Sequence, residues 1–591
     1  MLKLFKYLKP YIWLIVPLII LIYLQVMANL SLPDLMAKIV DNGIIGGDMN
    51  AIIKNGLIML GVTLGGGVAA VGVGFLSART ATGFARDVRQ KVFKKVEGFS
   101  IVEFNKFSTA SLITRSTNDI QQIQSTTLMI LRLVIMAPLM AIGGLQKAME
   151  NAPDLSWIIA VAVVSLLVVI IVLFVAALPK FKLLQKMVDK LNLVTRENLT
   201  GLRVVRAFNK EKTEENKFND ANTDLMKLNL TVNRMMIIMQ PFMNLVMNMA
   251  LIAIVWFGAH LVSERLIDVG NMMAFMQYAT QVIMSFLMIS MLFIMIPRAS
   301  VSAKRVNEVI DTDISIKDPE ESKKVKKAPG RGSGRVEFRD VTFTYPDAEA
   351  PVLSGVNFTA EPGQTTAIIG STGSGKSTLI DLIPRFYDVS AGQILIDNVD
   401  IRDQNLSDLY SQIGYVPQKG VLFSGSIKSN VAYGNPVASA EEIENAIKVS
   451  QSKDFVQKKE DGVNASISQG GANVSGGQKQ RLSIARALAV KPKVYIFDDS
   501  FSALDFKTEA KLKKELKKET KNKTVLIVAQ RISTIINADK IIVMNEGKIV
   551  GEGTHQELLK NNSVYQEIAS SQLSEEELKD SVSSTKRKET K

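Results

Sequence analysis

Gly370-Ser371-Thr372-Gly373-Ser374-Gly375-Lys376-Ser377 is the stretch that decides how the second half of this chain folds. It follows an apolar strand-like run, Thr366-Ala367-Ile368-Ile369, and leads into a helical pattern that begins Ser377-Thr378-Leu379-Ile380. Strand, glycine-rich turn and helix in that order aim backbone N–H groups at phosphates, with Lys376 reaching the β/γ oxygens and Ser377 facing Mg²⁺. The residues from Gly370 to Thr378 are therefore candidate nucleotide-binding residues, and ATP with Mg²⁺ is the expected cofactor.

Two further stretches downstream fit that reading. Val494-Tyr495-Ile496-Phe497-Asp498 is an apolar strand ending in a carboxylate, which would support the Mg²⁺ ion. Val474-Ser475-Gly476-Gly477-Gln478 opens a helix, and its two glycines allow a second phosphate to approach a helix N-terminus. Short β-rich runs (336–343, 365–369, 494–497, 524–528) alternate with helical patterns, which predicts a soluble α/β domain over 336–570. A Lys-, Gly- and Pro-bearing stretch at 318–335 reads as a linker. The charged, Ser/Thr-rich tail at 571–591 reads as disordered.

The first half is different in kind. The 591-residue chain is 47% hydrophobic and 21% charged, so the two residue classes must be segregated along it. Apolar runs at about 11–33, 55–78, 126–146, 155–179, 235–263 and 271–297 are each long enough to cross a bilayer core of roughly 20 helical residues. Only Arg132 interrupts the third, and it reads either as a mark of a substrate path or as a residue near the cytoplasmic end that snorkels. The first run is longer than a signal peptide's apolar core and five more follow, so it is expected to be retained. Basic clusters (Arg86, Arg89, Lys91, Lys94, Lys95; Lys180, Lys182, Lys186, Lys190) follow spans two and four. They place both termini and the soluble domain in the cytoplasm. The loops carrying these clusters are long enough to project about 35 Å from the membrane as helices, with tips at 103–112 and 207–214.

The net charge of +13 falls in juxtamembrane loops, linker and tail, where anionic lipid headgroups explain it and no nucleic-acid reader motif accompanies it. The absence of cysteine excludes disulfides and thiolate metal sites. Methionines recur at helical spacing in span six (Met284, Met288, Met291, Met295) and span five (Met239, Met243, Met247). They suit either a repacking surface for varied apolar ligands or ordinary helix packing.

With these residues assembled, the chain resembles the ATP-binding cassette (ABC) family, whose signature is Val474 to Gln478 here, with Val in place of the usual Leu. The resemblance implies Tyr345 as the adenine-stacking residue, Gln418 as the Q-loop residue and a third Mg²⁺-site residue beside Ser377 and Asp498, and Asp505 as the D-loop acid. It implies two cassettes dimerised head to tail, so that Ser475, Gly476, Gly477 and Gln478 of one close over ATP on the P-loop of the other. Six spans fused ahead of a cassette are similar to a bacterial exporter half-transporter of the cytoplasmic membrane, with the two loop tips as coupling helices.

Two departures from the family pattern shape the functional expectation. Asp499 stands where a glutamate orients and deprotonates water, and its carboxylate should sit about 1 to 1.5 Å too far for that role. Gln530 stands at the switch position, where it can hydrogen-bond a γ-phosphate but cannot carry a histidine's charge. The only histidines, His260 and His555, lie elsewhere in the sequence. The resemblance thus implies the degenerate half of a heterodimer with little ATPase activity of its own. A homologous half-transporter would supply the catalytic glutamate and switch histidine. The expected activity is export of amphipathic small molecules or drugs. The alternatives are neutral drift in an active homodimer, an ATP-binding regulatory or sensory subunit, and a lipid or peptide exporter.

Overall fold

The computed structural model describes residues 1–319 and 334–573, and these form two compact units. One comprises Met1–Glu97 and Ser108–Thr312; the other comprises Gly98–Phe107 and the described residues from Asp313 onward. Most of the linker and tail segments identified from sequence lie outside the described residues.

The first unit is helical and contains six helices long and apolar enough to cross a membrane. The helices run well past the apolar windows. Met49–Glu97 spans 49 residues, or about 74 Å at 1.5 Å per residue. In Ile12–Lys38, Leu18, Ile22, Val26 and Leu30 are buried at four-residue spacing while Trp13, Ile20 and Leu24 point outward. Such a helix packs on one face and offers apolar side chains to lipid on the other.

Several polar residues within this unit are paired across helices. Arg132 donates from Nε to Ser77 Oγ at 2.7 Å and from Nη2 to the Gly74 carbonyl at 3.1 Å, so it joins the second and third spans. The fully buried Tyr278 donates its hydroxyl toward the Leu30 carbonyl (2.8 Å) and Asp34 Oδ1 (2.6 Å). Asp34 also meets Asn151 at 3.1 Å and Lys147 at 3.2 Å, which gathers three spanning helices. Met243 is buried, and Met239 and Met247 pack beside the same apolar cluster, so the span-five methionines contribute to helix packing.

In the second unit, a six-stranded sheet runs in the order Lys548–Gly553, Lys540–Asn545, Thr365–Gly370, Thr524–Val528, Val494–Asp498, Ile413–Val416. The last five strands are mutually parallel and Lys548–Gly553 is antiparallel. Alternate residues enter separate cores: Ala367, Ile369, Val525 and Ile527 one, Ile368, Leu526, Val528 and Ile496 the other. Burial on both faces is why these strands are continuous apolar runs. A four-stranded antiparallel sheet built on Val336–Phe343 lies alongside.

The two loop tips differ from their expected bounds. The stretch 103–112 is two helices, Ile101–Lys106 and Thr109–Thr114, broken at extended residues Phe107 and Ser108. Each half starts with its own serine cap, which ends the preceding turn and restarts the helix. Ser100 and Glu103 form a capping box, Glu103 also accepts from the Ser315 N–H at 3.1 Å, and Ile101 and Val102 pack against the second core. At the other tip the short helix is Leu202–Ala207, ahead of the expected start, and the next helix begins at Glu211.

Candidate functional site

The parallel register gathers the motif residues. The carboxyl ends of Thr365–Gly370, Val494–Asp498, Thr524–Val528 and Ile413–Val416 lie along one edge of the sheet, where open α/β sheets bind ligands. They deliver the P-loop, Asp498 and Asp499, Gln530, and Gln418 to that edge.

The P-loop's geometry follows from its glycines. Gly375 has φ +94°, and a Cβ there would meet Leu353 Cδ2 at 2.8 Å, so both conformation and space require glycine. Lys376 Nζ bonds the carbonyls of Gly370 (2.9 Å) and Ser371 (2.7 Å) and approaches Ser374 Oγ (3.3 Å). Burial pushes its ammonium below the usual lysine range. A phosphate in the loop would relieve that desolvated charge.

Ser377 Oγ and Asp498 Oδ1 converge at 3.3 Å. Burial raises the Asp498 carboxyl to about 6, with the neighbouring charges of Asp381 and Asp499 adding to the shift. Hydroxyl and carboxylate oxygens crowded in this way are the donor set of a hard cation that keeps waters and substrate oxygens, so the residues fit Mg²⁺. Among the described residues no group of three or more His, Cys, Asp or Glu could by itself hold a metal. Gln418, also expected at the metal, donates from Nε2 to Asp499 Oδ2 at 3.4 Å, which leaves its Oε1 as the atom that would face a cation.

Asp499 adopts φ +43°, a left-handed conformation that Asp tolerates better than most residues. Its N–H donates to the Val528 carbonyl (3.0 Å), and its own carbonyl accepts from Ser502 Oγ (2.8 Å). The backbone is thereby tied at both ends of the residue. Gln530 is exposed on the loop that follows the buried Ala529.

Tyr345 lies edge-on to Phe343 (4.9 Å) and Tyr387 (5.3 Å), and its hydroxyl pairs with Thr378 Oγ1 at 2.9 Å. Thr378 is thus tied to the aromatic cluster and buried, whereas Ser371, Thr372 and Gly373 at the tip of the loop are exposed.

Ser475 caps the helix Gly476–Val490 in a capping box with Gln478. A Cβ on Gly477 would meet the Ala503 carbonyl at 3.1 Å, while one on Gly476 would meet nothing within 4 Å. Asp505 caps the next helix through the Thr508 N–H (2.9 Å), a bond that holds its carboxyl below the usual range. The signature therefore packs against the 503–505 loop, with Ser475, Gly476, Ala503 and Asp505 exposed beside one another and Val474 and Leu504 buried beneath. Among the described residues, no hydrogen bond joins Ser475–Gln478 to Gly370–Thr378 of the same chain.

Several contributing residues carry no motif. Asp381 lies four residues after Ser377, hence on the same helix face, and accepts from the Tyr415 hydroxyl at 2.9 Å. Gln480, buried on the signature helix, donates to the Pro417 carbonyl and accepts from the Gly420 N–H, both at 3.1 Å, and so brackets Gln418. A buried glutamine on an apolar helix face was the available signal. His555 is not near the edge; its Nδ1 pairs with the buried Tyr565 hydroxyl at 2.7 Å.

Family models assign the same two halves. Residues 14–286 match the ABC transporter transmembrane region and residues 353–502 match the ABC transporter model. The chain is 41% identical over 571 residues to an uncharacterized ABC transporter ATP-binding protein of Mycobacterium tuberculosis, covering 96% of this chain and 97% of that protein. The chain belongs to the ABC transporter family.

This ABC transporter subunit is also 37% identical over 574 residues to YfiB of Bacillus subtilis, covering 97% of this chain and 99% of YfiB. It is 33% identical over 510 residues to an ATP-dependent lipid A-core flippase of Syntrophus aciditrophicus, covering 84% and 82% of the two chains. A solved bacterial Atm1-family ABC exporter with ATP bound has the same fold, with a TM-score of 0.79 at 24% identity over 95% of this chain and 98% of that one. The subunit is an exporter-type half-transporter: six spanning helices fused to an ABC ATPase domain that implies ATP binding. It is a multi-pass protein of the cytoplasmic membrane with the ATPase domain in the cytoplasm.

Proposed function

We propose that this subunit is the ATP-retaining half of a heterodimeric exporter. Its own P-loop forms a slow site, and its Ser475–Gln478 signature completes the fast site on a homologous partner that supplies the glutamate and histidine. The observation that carries this reading is Asp499. Its backbone is tied to Val528 and Ser502, so it cannot advance to make up the missing methylene. General-base catalysis depends on hydrogen-bond reach to the attacking water. ATP held by Lys376, Ser377 and Asp498 would then remain in place and support closure of the two domains, while Mg²⁺, when bound, screens the β/γ oxygens.

The proposed cargo is an amphipathic small molecule, exported by ATP-driven closure. A lipid-like amphiphile is a second reading, favoured by the similarity to lipid A-core flippases. Two measurements test the proposal. The subunit alone should bind Mg-ATP yet turn over far below ordinary exporters; turnover of roughly 1 to 10 per second by the isolated chain would remove the degenerate-site assignment. Inverted-vesicle uptake by the complex with its co-purifying partner should then identify the cargo, with fluorescent drugs and labelled phospholipids as the competing probes.

A further inference from the structure

The loop bearing Gln530 is bracketed by a residue 42 positions away. Gln572 Nε2 donates to the Gln530 carbonyl at 2.8 Å, and Gln572 Oε1 accepts from the Ile532 N–H at 2.9 Å. Ile532 begins the short helix Ile532–Ile535, whose N-cap residue, Arg531, makes no side-chain cap bond. Its first N–H is one of the orphan donors at every helix start, and a side chain from elsewhere in the sequence satisfies it. The neutral carboxamide serves both contacts at once, one through its donor NH₂ and the other through its acceptor oxygen. The bracket holds the backbone at Gln530, whose side chain is exposed, while Ala529 and Ile532 on either side are buried.

Gln572 is itself firmly placed. It follows the helix Ser563–Ser570, and its own N–H and that of Leu573 donate to the Ala569 carbonyl at 3.1 and 2.9 Å. Tyr565 and Ala569 of that helix are fully buried, Tyr565 is pinned by His555, and Asn562 ties the helix start to the Val550 carbonyl at 2.8 Å. On the other side of the loop, the Arg531 guanidinium lies 6.0 Å from the centre of the Phe506 ring. The switch loop is therefore held between the segment that follows the helix Ser563–Ser570 and the helix that follows Asp505.

We infer that Gln572 is a positioning residue for the switch: through the Gln530 carbonyl and the Ile532 N–H it sets where the Gln530 side chain projects at the ATP site. That last clause rests on the proposed role of Gln530 at the nucleotide; the bracket on the backbone does not. A change of about 1 Å in such a group is enough for large functional effects.

The test uses the full-length complex carrying Q572L, which removes both contacts at similar size, and Q572E, which keeps the acceptor and loses the donor. Hydrogen exchange in a peptide covering 529–535 should quicken about tenfold in Q572L, with 554–570 unchanged, because opening of this loop no longer breaks two bonds. Release of radiolabelled ATP from this subunit's site should quicken about tenfold in Q572L and less in Q572E. The double variant Q530A/Q572L should release ATP no faster than Q530A alone, since a positioning residue has nothing left to position. Unchanged exchange at 529–535, or effects of Q530A and Q572L that simply add, would overturn the inference. Faster exchange in Q572L with ATP release unaffected by Q530A would uphold the bracket and remove the contact between Gln530 and the nucleotide.

Discussion

Replacing Asp499 by Glu tests whether reach is what slows this site. The change adds one C–C bond, about 1.5 Å, to a side chain whose backbone is tied to Val528 and Ser502. The carboxylate should therefore advance toward the water position while the backbone stays fixed. Asp499 sits at φ +43°, and Glu tolerates that region less well, so the variant should lose roughly 1 kcal/mol of stability. Against this, a correctly placed general base is worth 10²- to 10⁴-fold. Single-turnover cleavage of ATP at this site should rise at least about 10²-fold, equivalent to roughly 2.7 kcal/mol of barrier. The assay uses complexes in which the partner's catalytic glutamate is replaced by Gln, so that only this subunit's site reports. Thermal unfolding in detergent checks that the protein remains folded. A rise below about threefold in a folded D499E complex would refute the argument from reach and move the cause to Gln530 or to the approach of the partner's signature. Combining D499E with Q530H would then separate those two causes.

Gly477→Val should lower ATPase of the whole complex by about 10²-fold, since the added side chain strikes the Ala503 carbonyl, 3.1 Å from even a Cβ, and obstructs phosphate approach to the helix. Filter binding should show ATP still held by this subunit's P-loop, and loss of that binding would contradict the assignment of the two sites. Glu103→Ala removes the carboxylate that accepts from Ser100 and Ser315 N–H groups at 2.8 and 3.1 Å, bonds to a charged group worth about 1.5–3 kcal/mol each. Vesicle transport should fall further than ATP turnover, and equal losses would argue against a coupling role. Tyr565→Phe leaves buried His555 without its hydroxyl partner and should lower the unfolding free energy by about 1–3 kcal/mol, read as a lower midpoint in a detergent thermal melt with ATP binding retained. Tyr278→Phe strips two bonds from a buried hydroxyl and should cost about 1–2 kcal/mol in the same melt.

What the sequence determined by itself was whatever local order carries. The P-loop depends on a strand, a turn and a helix that are contiguous, and the six spans depend on runs of apolar residues, so both were legible without a partner in space. The strand at Val494–Asp498 was legible for the same reason, because burial on both faces leaves an unbroken apolar run. The tertiary structure decided everything that depends on register between distant segments. Strand order brought Asp498, Gln530 and Gln418 to one sheet edge, and helix packing put the Ala503 carbonyl beside Gly477. The fate of Arg132 was decided the same way: Ser77 and the Gly74 carbonyl, on another span, receive its guanidinium. Asp381 and Gln572 were silent in the sequence, since each acts through hydrogen bonds to residues 34 to 42 positions away; Gln480 stood out only as a polar residue on an apolar helix face, with nothing to name Pro417 and Gly420 as its partners.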